Sequence, residues 1–147
     1  MGVTYNKVKE FKKKFSGGVA WRVKKHCDIV DKHLNPGEEV IFAFTGQRND
    51  NFWDMISTCV FALTTKRILI GQKRVMGYYL SSITPDLFND LQVTSGLIWG
   101  RIVIDTIKEK VVLTNLDKHS LPEIETIVSE FMMKEKQKYK RSDDNEA

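Results

Sequence analysis

The chain has 147 residues, 41 % of them hydrophobic and 29 % charged, and its 23 basic and 19 acidic side chains leave a formal charge of +4. Such values are those of a soluble globular protein and exclude collagen-like, low-complexity and wholly disordered chains. A chain of this length is expected to form one domain with a core of its own.

No apolar run approaches the ~18 to 20 residues that a bilayer-spanning helix needs. The opening MGVTYNKVKEFKKKF has no continuous apolar segment, so a secretory signal is not expected, and Asn6 breaks the pattern for N-myristoylation. Cys27 and Cys59 form no CxxC pair. His26, Cys27 and Asp28 are immediate neighbours, and neighbours on a helix do not face each other, so they do not converge on a metal. Both cysteines are expected to be buried reduced thiols, which fits a cytoplasmic protein.

The charge is unevenly placed. Residues 1–35 carry nine basic and three acidic side chains, a net of +6, whereas residues 36–147 carry fourteen and sixteen, a net of −2. Asn35-Pro36-Gly37 is a turn signal between the two parts. Within the basic part, Tyr5, Val8, Phe11 and Phe15 recur at helical spacing, with Lys7, Lys9, Lys12, Lys13 and Lys14 flanking or opposing that stripe. Ser16-Gly17-Gly18 interrupts it, because two glycines cost a helix interior roughly 2 kcal/mol relative to alanine. Val19, Val23, Cys27, Val30 and Leu34 then outline a second helical run that ends before Pro36. The expectation is one kinked helix or two short ones.

From Val40 the texture becomes β-like. Val40 to Thr45, Met55 to Leu63, Arg67 to Gln72, Val75 to Leu80, Leu87 to Thr94, Leu97 to Ile104 and Lys110 to Leu116 read as seven strands, with a bulge expected at Gly100. Gln47 to Asp54 is a polar loop carrying Phe52 and Trp53, and Ser81-Ser82-Ile83-Thr84-Pro85 is another loop. Leu121 to about Lys138 is the last helix, with Ser120 as N-cap and Leu121, Ile124, Ile127, Val128 and Phe131 as its apolar stripe. The charged residues 139–147 are expected to fray.

Seven short antiparallel strands followed by a single amphipathic helix argue for a β-sandwich or barrel with the helix covering an open end. That order resembles the pleckstrin-homology (PH) superfold. Leu34-Asn35-Pro36-Gly37-Glu38-Glu39-Val40 is similar to the L-x-x-G-E-E entry of bacterial PH-like domains. Phe61-Ala62-Leu63-Thr64-Thr65-Lys66-Arg67-Ile68-Leu69-Ile70 is similar to their LT-x-x-R hairpin, and Leu80-Ser81-Ser82-Ile83 to the strand end that follows. The resemblance covers about residues 34–137. It implies a mainly β architecture: a PH-like seven-stranded antiparallel barrel or orthogonal sandwich over residues 36–138, capped by the C-terminal helix. Residues 1–35 precede it as a basic helical extension. It also implies a non-catalytic interaction module.

The candidate interaction surface drawn from the residues is Lys7, Lys9, Phe11, Lys12, Lys13, Lys14, Phe15 and Trp21, together with Phe52 and Trp53. An amphipathic helix with a lysine cluster has the composition of a membrane-surface helix; the plainer reading packs its apolar stripe on its own barrel or on another subunit. Two aromatics in a polar loop form either an exposed anchor or a cap on the barrel. The loop from Gly46 to Asp54 holds one arginine and two aspartates, which argues against the cationic phosphate grip of lipid-binding eukaryotic relatives.

The expected partner is a protein or a second copy of the chain. The alternative is peripheral binding to anionic lipid at the inner face of the membrane. Nucleic acid is not expected, since no reading motif accompanies the basic patch. His26, His33 and His119 are read as solvent-facing or capping residues. No GxSxG, HExxH, P-loop or paired-carboxylate pattern is present, so no catalytic residue, metal ligand or cofactor site is assigned.

Overall fold

The computed structural model describes residues 2–17, 20–48 and 57–146. The N-terminal segment forms two helices, α1 (Val3–Lys14) and α2 (Val23–His33). Seven strands follow: β1 (Val40–Gln47), β2 (Thr58–Thr64), β3 (Ile68–Lys73), β4 (Tyr78–Ile83), β5 (Phe88–Ser95), β6 (Trp99–Thr106) and β7 (Lys110–Asp117). A 3₁₀ turn at Lys118–Ser120 leads into α3 (Leu121–Glu146).

The strands form one antiparallel, strongly curled sheet in the order β4-β3-β2-β1-β7-β6-β5. Between β1 and β7 the ladder pairs Gln47 with Thr114, and the sheet divides there into two halves that turn their inner faces toward each other. The inner core is filled by Phe42, Phe44, Phe61, Leu63, Ile68 and Ile70 from the first half and by Leu91, Ile102, Ile104 and Leu113 from the second. Leu121, Ile124, Val128 and Met132 of α3 close it from one side. This is a PH-like half-barrel with its C-terminal helix, and the bulge expected at Gly100 is present as a register shift between Gly100 and Ile102.

β2 is buried at every position. An antiparallel sheet with one face in water would alternate apolar and polar residues, but here the outer residues are apolar as well, because the two N-terminal helices cover them. Val60, Ala62 and Leu69 on the outside of β2 and β3 join Val8 of α1 and Cys27 and Val30 of α2 in a second buried layer. Gly71 is what lets α2 lie so close. A Cβ at that position would meet Val30 Cγ2 at 2.9 Å and the His26 carbonyl oxygen at 3.3 Å.

Several sequence-based boundaries shift for identifiable reasons. The fourth strand begins at Tyr78, and Val75 and Met76 belong to the turn before it. Arg74 N–H bonds to the Gly77 carbonyl at 3.1 Å, and Gly77 adopts a φ of +81° that closes the hairpin. That strand then runs through Ser81-Ser82-Ile83, where the sequence predicts a loop, because these residues pair with Ile70, Leu69 and Ile68. Leu97 and Ile98 are turn residues before β6 rather than part of it. Ser120 sends its hydroxyl back to the Asp117 carbonyl at 2.5 Å, and the helix after it continues to Glu146 instead of ending near Lys138.

Candidate functional site

The N-terminal helices are fixed to the barrel and to each other by three distinct devices. The first is apolar. The Phe11 ring lies 5.5 Å from that of Phe42 and 5.4 Å from that of Phe44, and it reaches the inner core, while Val8 is sealed in the outer layer. Phe15, at the end of α1, packs on Phe11 with ring centroids 5.0 Å apart. Val8 and Phe11 of the stripe read from the sequence are therefore spent on the protein's own β-structure.

The second device is a cap supplied by one helix to the other. α1 begins at Gly2 with no side-chain cap of its own. Asp31 of α2 accepts from Thr4 N–H at 3.1 Å and from the Thr4 hydroxyl at 2.6 Å, placing a negative charge at the positive end of α1.

The third device is ionic. The Glu38 carboxylate is buried and meets Arg67 through two bonds of 3.1 Å, Nε to Oε2 and Nη2 to Oε1. Asn35 N–H and the Thr64 hydroxyl also donate to it, at 2.9 and 2.5 Å. Burial alone would push the Glu38 carboxyl up, but the Arg67, Asn35 and Thr64 donors outweigh it and hold the group below its ordinary value. Arg67 in turn donates to the last carbonyl of α2, His33 O, at 2.9 Å. The entry turn and the β2–β3 hairpin, whose partners lie 26 and 29 residues apart in sequence, thus meet in one buried pair that also ties down α2.

His26 corrects the sequence expectation that it faces solvent or caps a helix. It is fully buried, and its Nδ1 accepts from Lys73 N–H at 2.8 Å, joining the first turn of α2 to the end of β3. Burial first, and then the Arg22 charge, lower its pKa to about 4, so at neutral pH it is an uncharged acceptor. His33 bonds the Ile29 carbonyl and the Tyr78 hydroxyl, and His119 is exposed. Cys27 and Cys59 are buried free thiols. Burial, with Asp31 and Asp28 adding for Cys27, pushes both up to about 12, although Arg48 partly opposes this at Cys59. Among the described residues no group of three or more His, Cys, Asp or Glu side chains could hold a metal ion.

This docking divides the lysines of α1 into two sets. Lys7 and Lys14 turn toward Glu10 and toward Glu123 of α3, at 3.6 and 3.0 Å. Lys9 and Lys12 turn the other way, toward the start of α2. There they join Arg22, Lys24 and Lys25 around a cleft of about 470 Å³ floored by Tyr5, Val8, Ala20 and Val23. Lys9 and Lys24 approach the Tyr5 ring at 5.0 and 5.3 Å from its centroid. Among the described residues, none of the five cations pairs with a carboxylate. Burial lowers the Lys12 pKa. Arg22 holds a left-handed backbone, φ 52° and ψ 34°, uncommon for a residue with a Cβ, at the very start of α2.

Of the candidate surface residues, Lys9 and Lys12 thus stand in the cleft and Lys13 is exposed, whereas Phe11 packs on Phe42 and Phe44 of the barrel and Phe15 packs on Phe11. Trp21 is half-buried, with the Arg22 guanidinium 5.2 Å from its ring centroid. Phe52 and Trp53 lie outside the described residues. Arg22, Lys24 and Lys25 were not singled out by sequence reasoning. The available signal was the charge count of the whole segment, which does not say which lysines another helix will meet.

A curled seven-stranded antiparallel sheet closed by a C-terminal helix is the architecture of the PH-like class of domains. The model of the family described as "Bacterial PH domain" matches residues 34–130, about two thirds of the chain, and the protein belongs to that family. No curated protein is significantly similar to it. PH domains in general are non-catalytic and bind proteins or lipids, and the two N-terminal helices lie almost wholly before the matched region.

Proposed function

We propose that this protein is a non-catalytic docking module that binds an anionic membrane surface through the outer basic face of its N-terminal helices. One observation carries the reading: Lys9, Lys12, Arg22, Lys24 and Lys25 converge on a single cleft without a paired acid among the described residues. Each cation near an anionic leaflet contributes ~1 kcal/mol, so five give a sizeable attraction that salt weakens. Val8 and Phe11 of α1 are occupied by the barrel, so the helix adsorbs by charge and not by burying those side chains in lipid.

Because α1 is part of the core, deleting it would confound folding with binding. Charge reversal is the cleaner test. The full chain should co-sediment with vesicles containing anionic phosphatidylserine at low salt and not with neutral phosphatidylcholine vesicles. The Lys9→Glu/Lys24→Glu variant should lose at least tenfold in partitioning. Absence of anionic-vesicle binding at low salt overturns the reading. So does a dimer in light scattering that the same charge reversal dissolves, since it would give this face to a second copy of the chain.

A further inference from the structure

We infer that the β3–β4 hairpin tip is a second docking element, an apolar wedge that enters the bilayer beside the basic helical face. The inference rests on the membrane reading above and adds to it an apolar site outside the basic cleft. Val75 and Met76 are 83 % and 89 % exposed, the central pair of a turn closed by Arg74 N–H on the Gly77 carbonyl. They therefore stand at the tip of the hairpin, with little of their surface covered by the described residues. Scattered exposed apolar residues are ordinary, but two adjacent ones at a tip, preceded by two cations, are a specific arrangement.

Charge complementarity decides the occupant. Lys73 and Arg74 precede the tip, and the Arg74 and Arg48 guanidinium groups lie 5.4 and 3.6 Å from the centroid of the Tyr79 ring just behind it. An apolar end with an aromatic and cationic collar matches the order met on entering an anionic bilayer, with phosphates outside and acyl chains within. The tip is also held in register with the basic cleft. His26 bonds Lys73 N–H at 2.8 Å, so the first turn of α2, which carries Arg22, Lys24 and Lys25, is fastened to the strand that leads into the tip. An inserted tip would bring those cations down to the phosphate level.

The test uses the full chain with a single environment-sensitive dye at Met76→Cys. Cys27 and Cys59 are buried and do not compete for the label. A second sample carries the dye at Leu97→Cys, an equally exposed apolar residue in the β5–β6 turn. On phosphatidylserine-containing vesicles the dye at position 76 should shift to the blue and brighten at least twofold, while that at position 97 stays unchanged. The Val75→Asp/Met76→Asp variant should keep its far-UV circular dichroism and lose tenfold or more in partitioning, most visibly at high salt.

Binding that persists with no change at position 76 overturns the wedge and leaves the basic-face reading standing. Absence of vesicle binding by the unmodified chain removes both. Equal changes at positions 76 and 97 indicate unoriented adsorption and overturn the wedge. A hairpin variant that abolishes self-association, with the dye unmoved by vesicles, would assign the tip to a second copy of the chain and likewise overturn it.

Discussion

Glu38 shows how much of this fold hangs on single polar side chains. Its side chain has no exposed surface and the Arg67 side chain is 16 % exposed, so removing one partner strands the other away from water. Breaking such a buried pair costs about 3 kcal/mol or more, whereas exposed pairs are worth well under 1 kcal/mol. Glu38→Ala is expected to lower the urea-unfolding free energy by about 3 kcal/mol. Glu38→Gln, which keeps acceptor and donor atoms in place, should cost less; equal losses in the two variants would show that charge alone matters there. The same pair explains why two short sequence patterns belong together. Glu38 from the entry turn and Thr64 and Arg67 from the hairpin are partners in one network. Pattern reading found both segments, but nothing local in either says that they touch. His26 illustrates the converse. A lone histidine beside a cysteine reads as a surface residue, and only the approach of β3 makes it a buried acceptor.

At the scale of elements, α1 is held chiefly by packing and only weakly by its surface charge. Phe11 touches two core phenylalanines, whereas the Lys14–Glu123 contact joins side chains that are 66 % and 29 % exposed. Phe11→Ala should cost about 2 to 3 kcal/mol by thermal or urea unfolding, and Lys14→Ala less than 1 kcal/mol. The reverse ranking would mean that α1 is an electrostatic appendage. The strands were legible because β-branched and aromatic runs bounded by turn residues carry a local signal. The β3–β4 hairpin was misread for an equally physical reason. Val75 and Met76 have strand-like chemistry, and whether they pair or turn is decided by Gly77 and by the register with Lys73.

For the molecule as a whole, the question is whether the basic helices are a detachable arm or a layer of the domain. Cys27 on α2 and Cys59 on β2 are natural reporters, one in the outer layer and one in the inner core, both fully buried with thiols pushed up to about 12. If layer and barrel unfold together, both thiols should become reactive toward a disulfide reagent at one urea midpoint. Release of Cys27 well before Cys59 would show that the helices open first as a separate unit. Coincidence is expected, because Val60, Ala62 and Leu69 lose their cover if the helices leave.

The sequence by itself determined the succession of elements, the PH-like motifs and the concentration of positive charge in the first 35 residues. These depend on periodicity, turn chemistry and composition, all of which are local. Tertiary structure decided that Lys14 meets Glu123, which cations stand around the cleft without a paired acid among the described residues, and where Val8 and Phe11 of α1 are spent. Those outcomes depend on how helices dock on a sheet, and docking is set in part by residues such as Gly71 and Arg67 that lie far from the lysines in sequence. A charge count gives the strength of an electrostatic surface; only the packing beneath it gives the surface a direction.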